Sequence, residues 1–171
     1  MLPIPILFNQ TTVNMRFTSL AAALTTLSAA SARIVGIEAP STLARNGTFN
    51  LTLLTEGYIQ SVADISVAWG YELAPGYFAS VGAYPQSAYL GPNKSNTNEN
   101  ITIQATVPAE LNDPIWNGSL TLAAGVYSLY GVGSGPVVTG FNVTVQVGDE
   151  TSEETITSNG TAWTFNSPSQ S

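Results

Sequence analysis

The 171-residue sequence contains no cysteine and no histidine, and only four Lys and Arg residues stand against eleven Asp and Glu. Each absence closes a class of function. Without an imidazole or a thiol there is no Ser-His-Asp triad, no Cys-His pair and no zinc site built on nitrogen or sulfur. Without cysteine no disulfide braces the chain, so its stability has to come from an apolar core. Arg16, Arg33, Arg45 and Lys94 are too few and too scattered to track a phosphate backbone, which excludes nucleic acid as a partner. Helical periodicity is missing too: no long stripe of apolar residues three and four apart runs through the chain.

What is present is a moderately apolar, sparsely charged chain. Hydrophobic residues make up 44% and charged residues 9%, enough for a packed core under a surface of Ser, Thr, Asn and Gln. The segment from Met15 to Ala32 has the layout of a signal peptide. Arg16 is its basic start, Phe17 to Leu27 its apolar stretch and Ala30-Ser31-Ala32 its small-residue cleavage site, with residues 1–14 as an upstream extension. That stretch is too short to span a bilayer, so no membrane is expected as a partner. Removal of residues 1–32 leaves Arg33, Arg45 and Lys94 against all the acids. The remaining chain is secreted and acidic. Asn46, Asn50, Asn93, Asn100, Asn117, Asn142 and Asn159 each open an Asn-x-Ser/Thr sequon, expected glycosylation positions on the surface.

Between residues 33 and 148 apolar and polar residues alternate with period two, in blocks separated by Gly, Pro and Asn. The blocks predict strands at 34–39, 48–55, 62–71, 87–90, 101–107, 119–130 and 137–147. In the third, Ala63, Ile65, Val67 and Trp69 are expected inward, with Asp64 and Ser66 facing water. About seven such strands without crossover helices predict an all-β fold: an immunoglobulin-like antiparallel β-sandwich without disulfides, with an up-and-down barrel as its competitor. From Asp149 to Ser171 the composition turns acidic and Ser/Thr-rich, which predicts a disordered tail.

Candidate chemistry is sparse. Glu56, Asp64 and Glu72 are the acids flanked by aromatics, the only basis for a glycosidase pair, and turn or solvent-facing positions explain them more simply. Asn112-Asp113 and Asp149-Glu150 offer oxygen ligands without EF-hand spacing, and no metal or cofactor is expected. The chain is expected not to be an enzyme. More suggestive is the aromatic density of Trp69, Tyr71, Tyr77, Phe78, Tyr84 and Tyr89, extended by Tyr58, Tyr127 and Tyr130, because exposed aromatics at a sandwich surface build binding sites.

Four blocks carry a family resemblance: Gly57-Tyr58-Ile59-Gln60-Ser61-Val62-Ala63-Asp64, Tyr89-Leu90-Gly91-Pro92, Tyr127-Ser128-Leu129-Tyr130-Gly131 and Asn142-Val143-Thr144-Val145. In content and spacing they resemble the fungal necrosis-inducing secreted protein effectors, from Arg33-Ile34 to about Asp149. The resemblance implies a secreted virulence effector that suppresses plant pattern-triggered immunity by binding, and so inhibiting, immune-receptor-associated kinases, after translocation into the host cytoplasm. On that reading Tyr58, Ile59, Gln60, Tyr89, Leu90, Tyr127 and Tyr130 are the expected contact residues of a monomer. A different expectation from the same aromatics is a module that binds cell-wall polysaccharide by stacking.

Overall fold

Phe49, Leu51 and Leu53 point to one side of their strand and meet Ala105, Ile103 and Ile101 of a neighbour, each pair in direct register. The same happens at Leu120, Leu122 and Ala124 opposite Val145, Val143 and Phe141. Both sets are buried, and packing one against the other makes the core. The computed structural model describes residues 31–166. Its strands are β1 (Ser31–Pro40), β2 (Thr42–Ala44), β3 (Thr48–Tyr58), β4 (Val62–Leu73), β5 (Ala83–Tyr89), β6 (Ile101–Thr106), β7 (Ser119–Tyr130), β8 (Gly135–Gly148), β9 (Thr155–Thr157) and β10 (Trp163–Asn166).

One sheet has the order β6-β3-β1-β9, the other β10-β8-β7-β4-β5, with β2 added in parallel to the end of β8. The two sheets face each other across Ile37, Leu51, Leu53, Val67, Trp69, Leu122 and Phe141. This is a β-sandwich without cysteine, as the alternation predicts. The expected strands are all found, and the barrel is excluded because the sheets remain separate.

Two expectations need correction. First, β4 is not a regular strand: its register with β7 shifts between Asp64 and Ser66. This bulge turns Asp64 inward, where it is 2% exposed, and leaves Ala63 outside. The Ser128 hydroxyl donates to Asp64 Oδ1 at 2.6 Å, and Ser95 Oγ accepts from the Asp64 N–H at 2.6 Å.

Second, the expected tail 149–171 is not a tail over its described part. Ser158 N–H donates to the Ile37 carbonyl at 2.8 Å, and Ala162 N–H to the Gly140 carbonyl at 2.8 Å. The Ser158 hydroxyl accepts from Ile37 N–H at 3.0 Å, and that of Ser152 from Thr42 N–H at 3.0 Å. β9 then extends the first sheet and β10 the second; residues 167–171 lie outside the described part. Trp163 explains the anchorage. Its indole lies on Gly140, where any Cβ would collide with it, and its Cη2 stands 3.2 Å from where a Cβ on Gly125 would be. Glycine at both positions is what admits the ring.

The expected signal peptide lies outside the described residues up to residue 30, and its last two residues, Ser31 and Ala32, open β1. They pair with Tyr58 and Gly57. Ala32 is buried and its N–H donates to Asn96 Oδ1 at 3.0 Å.

Candidate functional site

In a strand that covers a core, every second residue faces outward, so register alone decides which outward side chains share a row. Ser66 of β4 pairs with Tyr89 of β5 on one side and with Tyr127 of β7 on the other. Tyr127 pairs with Val138 of β8, and Val138 with Phe165 of β10. Tyr89, Tyr127 and Phe165 therefore stand in one line across the outer face of the second sheet, alternating with the smaller Ser66 and Val138. Two strand spacings separate successive rings, roughly 10 Å. Tyr89 is 71%, Phe165 54% and Tyr127 37% exposed. The Tyr89 ring is set against Gly91, whose φ of 59° closes the turn after β5, and Phe165 stacks obliquely on Trp163 at 5.4 Å between centroids. Three exposed rings in line over a sheet form an apolar strip of the kind that can serve as a contact surface.

Tyr58, Gln60 and Tyr130 come together elsewhere, in a groove of about 560 Å³ at the end of the sandwich where β3 turns into β4. Tyr58 and Tyr130 meet edge to face at 5.8 Å. The Arg33 guanidinium lies 4.7 Å from the Tyr58 ring centroid and donates to Glu56 Oε1 at 2.8 Å. That hydrogen bond holds the Arg33 pKa above its ordinary value. Burial, reinforced by the nearby Asp64 carboxylate, raises the Tyr130 phenol. Thr161 and Thr164 complete the far wall, so the C-terminal segment contributes to this groove as well.

The remaining expected contacts divide. Ile59, at the tip of the β3–β4 turn, is 95% exposed. Leu90 is corrected: it is 3% exposed and packs in the core, with its N–H on the Ile65 carbonyl. Trp69 and Tyr71 are core residues too. The Tyr71 hydroxyl donates to the Thr106 carbonyl at 3.1 Å, and burial pushes its pKa up. Phe165 is the exposed ring of the row that sequence reading missed, although Trp163-Thr164-Phe165 has the alternation of a strand. All seven sequon asparagines are exposed.

The candidate acids do not converge. Glu56 sits in the groove on Arg33, whereas Glu72 lies near the other end of β4, roughly 30 Å away along the strand. Asp113 accepts from Ile115 N–H as a turn cap, and Asn112 donates to Asn46 Oδ1. Among the described residues no three acidic side chains gather as ligands for a metal ion.

Comparison with known proteins agrees with this architecture in extent. The sequence model of the Nis1 family matches residues 30–146, beginning one residue before β1 and ending within β8. The chain is 46% identical over 136 residues to necrosis-inducing secreted protein 1 of Colletotrichum orbiculare, covering 79% of this chain and 82% of that protein. It is 45% identical over 136 residues to the protein of the same name in Colletotrichum higginsianum, covering 79% and 92%.

Proposed function

The chain belongs to the Nis1 family, and from that membership we propose that it is a secreted effector that docks on immune-receptor-associated kinases of a plant host and blocks their signalling, without turnover chemistry. The observation that carries the reading is the line of Tyr89, Tyr127 and Phe165 on the second sheet. Rigid aromatic side chains already held in an extended row lose little entropy on docking, and interface hot spots are enriched in tyrosine. The relatives' name, necrosis-inducing secreted protein, supports a molecule exported to act on another cell. A fold without disulfides survives transfer from an oxidising to a reducing compartment, which suits a target inside that cell.

The test is binding of the purified chain to recombinant kinase domains of plant immune-receptor complexes, beside the triple variant Tyr89→Ala/Tyr127→Ala/Phe165→Ala. Each side chain is exposed, so the fold should survive; if one of the three is a hot spot, its loss of about 2 kcal/mol lowers affinity roughly thirtyfold. Binding left unchanged by the triple variant would remove the row from the account. A wild-type chain that ignores every kinase domain but sediments with insoluble β-glucan or chitin would instead favour stacking on cell-wall polysaccharide, to which a flat aromatic row is also suited.

A further inference from the structure

Glu72 faces outward on β4, opposite Thr121 of β7, yet it is 4% exposed. The loop between β4 and β5 folds over it. That close passage depends on two glycines in the left-handed region: Gly76, at φ 82°, where a Cβ would lie 2.5 Å from Glu72 Oε2, and Gly82, at φ 79°, where one would collide with Glu72 Cγ. The loop brings Tyr77 N–H to Oε2 at 2.5 Å. The other carboxyl oxygen, Oε1, is buried and has no hydrogen-bond partner among the described residues, and neither has the neighbouring Thr121 Oγ1. A buried acceptor left in this state is costly to the fold unless something donates to it.

Beside this carboxyl lies a cavity of about 250 Å³, walled by Glu72, Leu73, Tyr77, Trp116 and, from the loop, Ser80 and Gly82, where the Ser80 hydroxyl already accepts from Gly82 N–H. Trp116 is braced edge-on by Tyr84 at 5.8 Å. Tyr77 and Leu73 are exposed at its mouth, and the exposed Phe78 and Ile115 adjoin Tyr77 and Trp116 in the chain. Largely apolar walls, an aromatic face and one unpartnered carboxylate oxygen specify an occupant with a methylene stem and a cationic head. The volume admits a single side chain and falls below the usual size of a metabolite site. Of the described cations, Arg33 is engaged on Glu56 and Arg45 on the Leu111 carbonyl and Asn117 Oδ1, while Lys94 stands at a different groove with Asn93 and Thr97.

We propose that this cavity is a binding pocket for a lysine or arginine side chain of a protein partner. The stem lies along Trp116 and Leu73, and the head reaches Glu72 Oε1, sealed from solvent in the free chain, by displacing the side chains that cover it. The formal charge of -7 draws a basic surface toward it. Because Tyr77 already occupies Oε2, one donor is taken rather than a bidentate fork. The pocket lies far along β4 from the Tyr58 groove, and its existence does not depend on the aromatic row or on the partner being a kinase.

The test is an amide and indole NMR titration of the folded chain with Nα-acetyl-lysine methylamide, Nα-acetyl-arginine methylamide and the neutral Nα-acetyl-norleucine methylamide. Saturable shifts at the Tyr77 amide and Trp116 indole are expected from the two cations only, with a Kd on the order of 10 mM, as fits one side chain. Glu72→Gln should weaken them at least tenfold. Since that substitution bears on the loop, Trp116→Ala serves as a second variant: it keeps the carboxylate, removes the aromatic wall and should weaken binding severalfold. Equal shifts from the neutral compound, no saturable shift from either cation, or undiminished binding by both variants would overturn the proposal.

Discussion

Trp163 and Gly140 make opposite predictions when changed singly and together. The Trp163 indole is half-buried against Gly140 and Gly125. A tryptophan presents about 150–250 Å² for burial, so removing the covered half forfeits roughly 100 Å², or about 2.5 kcal/mol at 25 cal/mol per Å². Trp163→Ala should lower stability by that amount. Gly140→Ala, a nominally gentle change in an extended strand, should cost about as much, because the new Cβ collides with the indole and forces it off the sheet. Once Trp163 is alanine the collision vanishes, and Gly140→Ala becomes neutral or gains about 0.5 kcal/mol by restricting the unfolded chain. The double variant is then no less stable than Trp163→Ala alone, a coupling of about 2.5–3 kcal/mol. Urea unfolding of the four proteins, followed by tyrosine fluorescence or circular dichroism, measures it. Additive losses would falsify the seating of Trp163 on Gly140, and a Trp163→Ala variant as stable as the parent would return residues 149–166 to the status of a tail.

Two further outcomes are expected. Burial holds the Asp64 carboxyl above its ordinary value of 3.8, with the Ser128 hydroxyl and the Asn96 backbone opposing it. The neutral form is therefore favoured in the folded state. The stability this contributes is complete below pH 3.8 and is lost as pH rises from there through the raised value. Asp64→Asn, whose amide oxygen still accepts from Ser128, should lack that loss; identical pH profiles of urea midpoint for parent and variant would refute the assignment. Asn142, outward on β8 four residues from Val138, shares the outer face with the aromatic row. In chain secreted from a glycosylating host, Asn142→Gln should remove one glycan mass and tighten partner binding, whereas Asn50→Gln on the other sheet should leave affinity unchanged.

The legible part of the fold was the part in which one face is wet and the other dry. β3, β6 and β8 read directly because Phe49, Leu51, Leu53, Ile101, Ile103, Phe141 and Val143 alternate with Thr, Asn and Gln. β7 departs from this, being buried on both faces from Leu120 to Val126. Its outward residues Ala123 and Gly125, with Ala68 and Gly70 beside them in β4, are small because something lies on top: Val81 of the β4–β5 loop, and Trp163. Such a patch of small outward residues signals a covered sheet, but only after the strands have been paired. Asp64 escaped for a different reason: strict alternation cannot register a bulge, and one extra residue reverses the side on which its neighbours emerge. In residues 149–162 the acidic, Ser/Thr-rich composition hid an anchored segment. Its attachment uses backbone groups and the Ser152 and Ser158 hydroxyls rather than an apolar stripe.

The same segment ties architecture to the proposed binding. β10 supplies Phe165, the third ring of the row, while Thr161 and Thr164 wall the Tyr58–Tyr130 groove. Phe165 is placed by register with Val138 and by contact with Trp163, so its presentation depends on the indole remaining on Gly140. Trp163→Ala should therefore weaken partner binding even at temperatures where the sandwich is fully folded, while leaving the Glu72 pocket intact. A structural role confined to stability predicts full affinity whenever the protein is native. Measuring affinity well below the unfolding transition separates the two, and a native Trp163→Ala variant that binds like the parent would show that the row does not need its anchor.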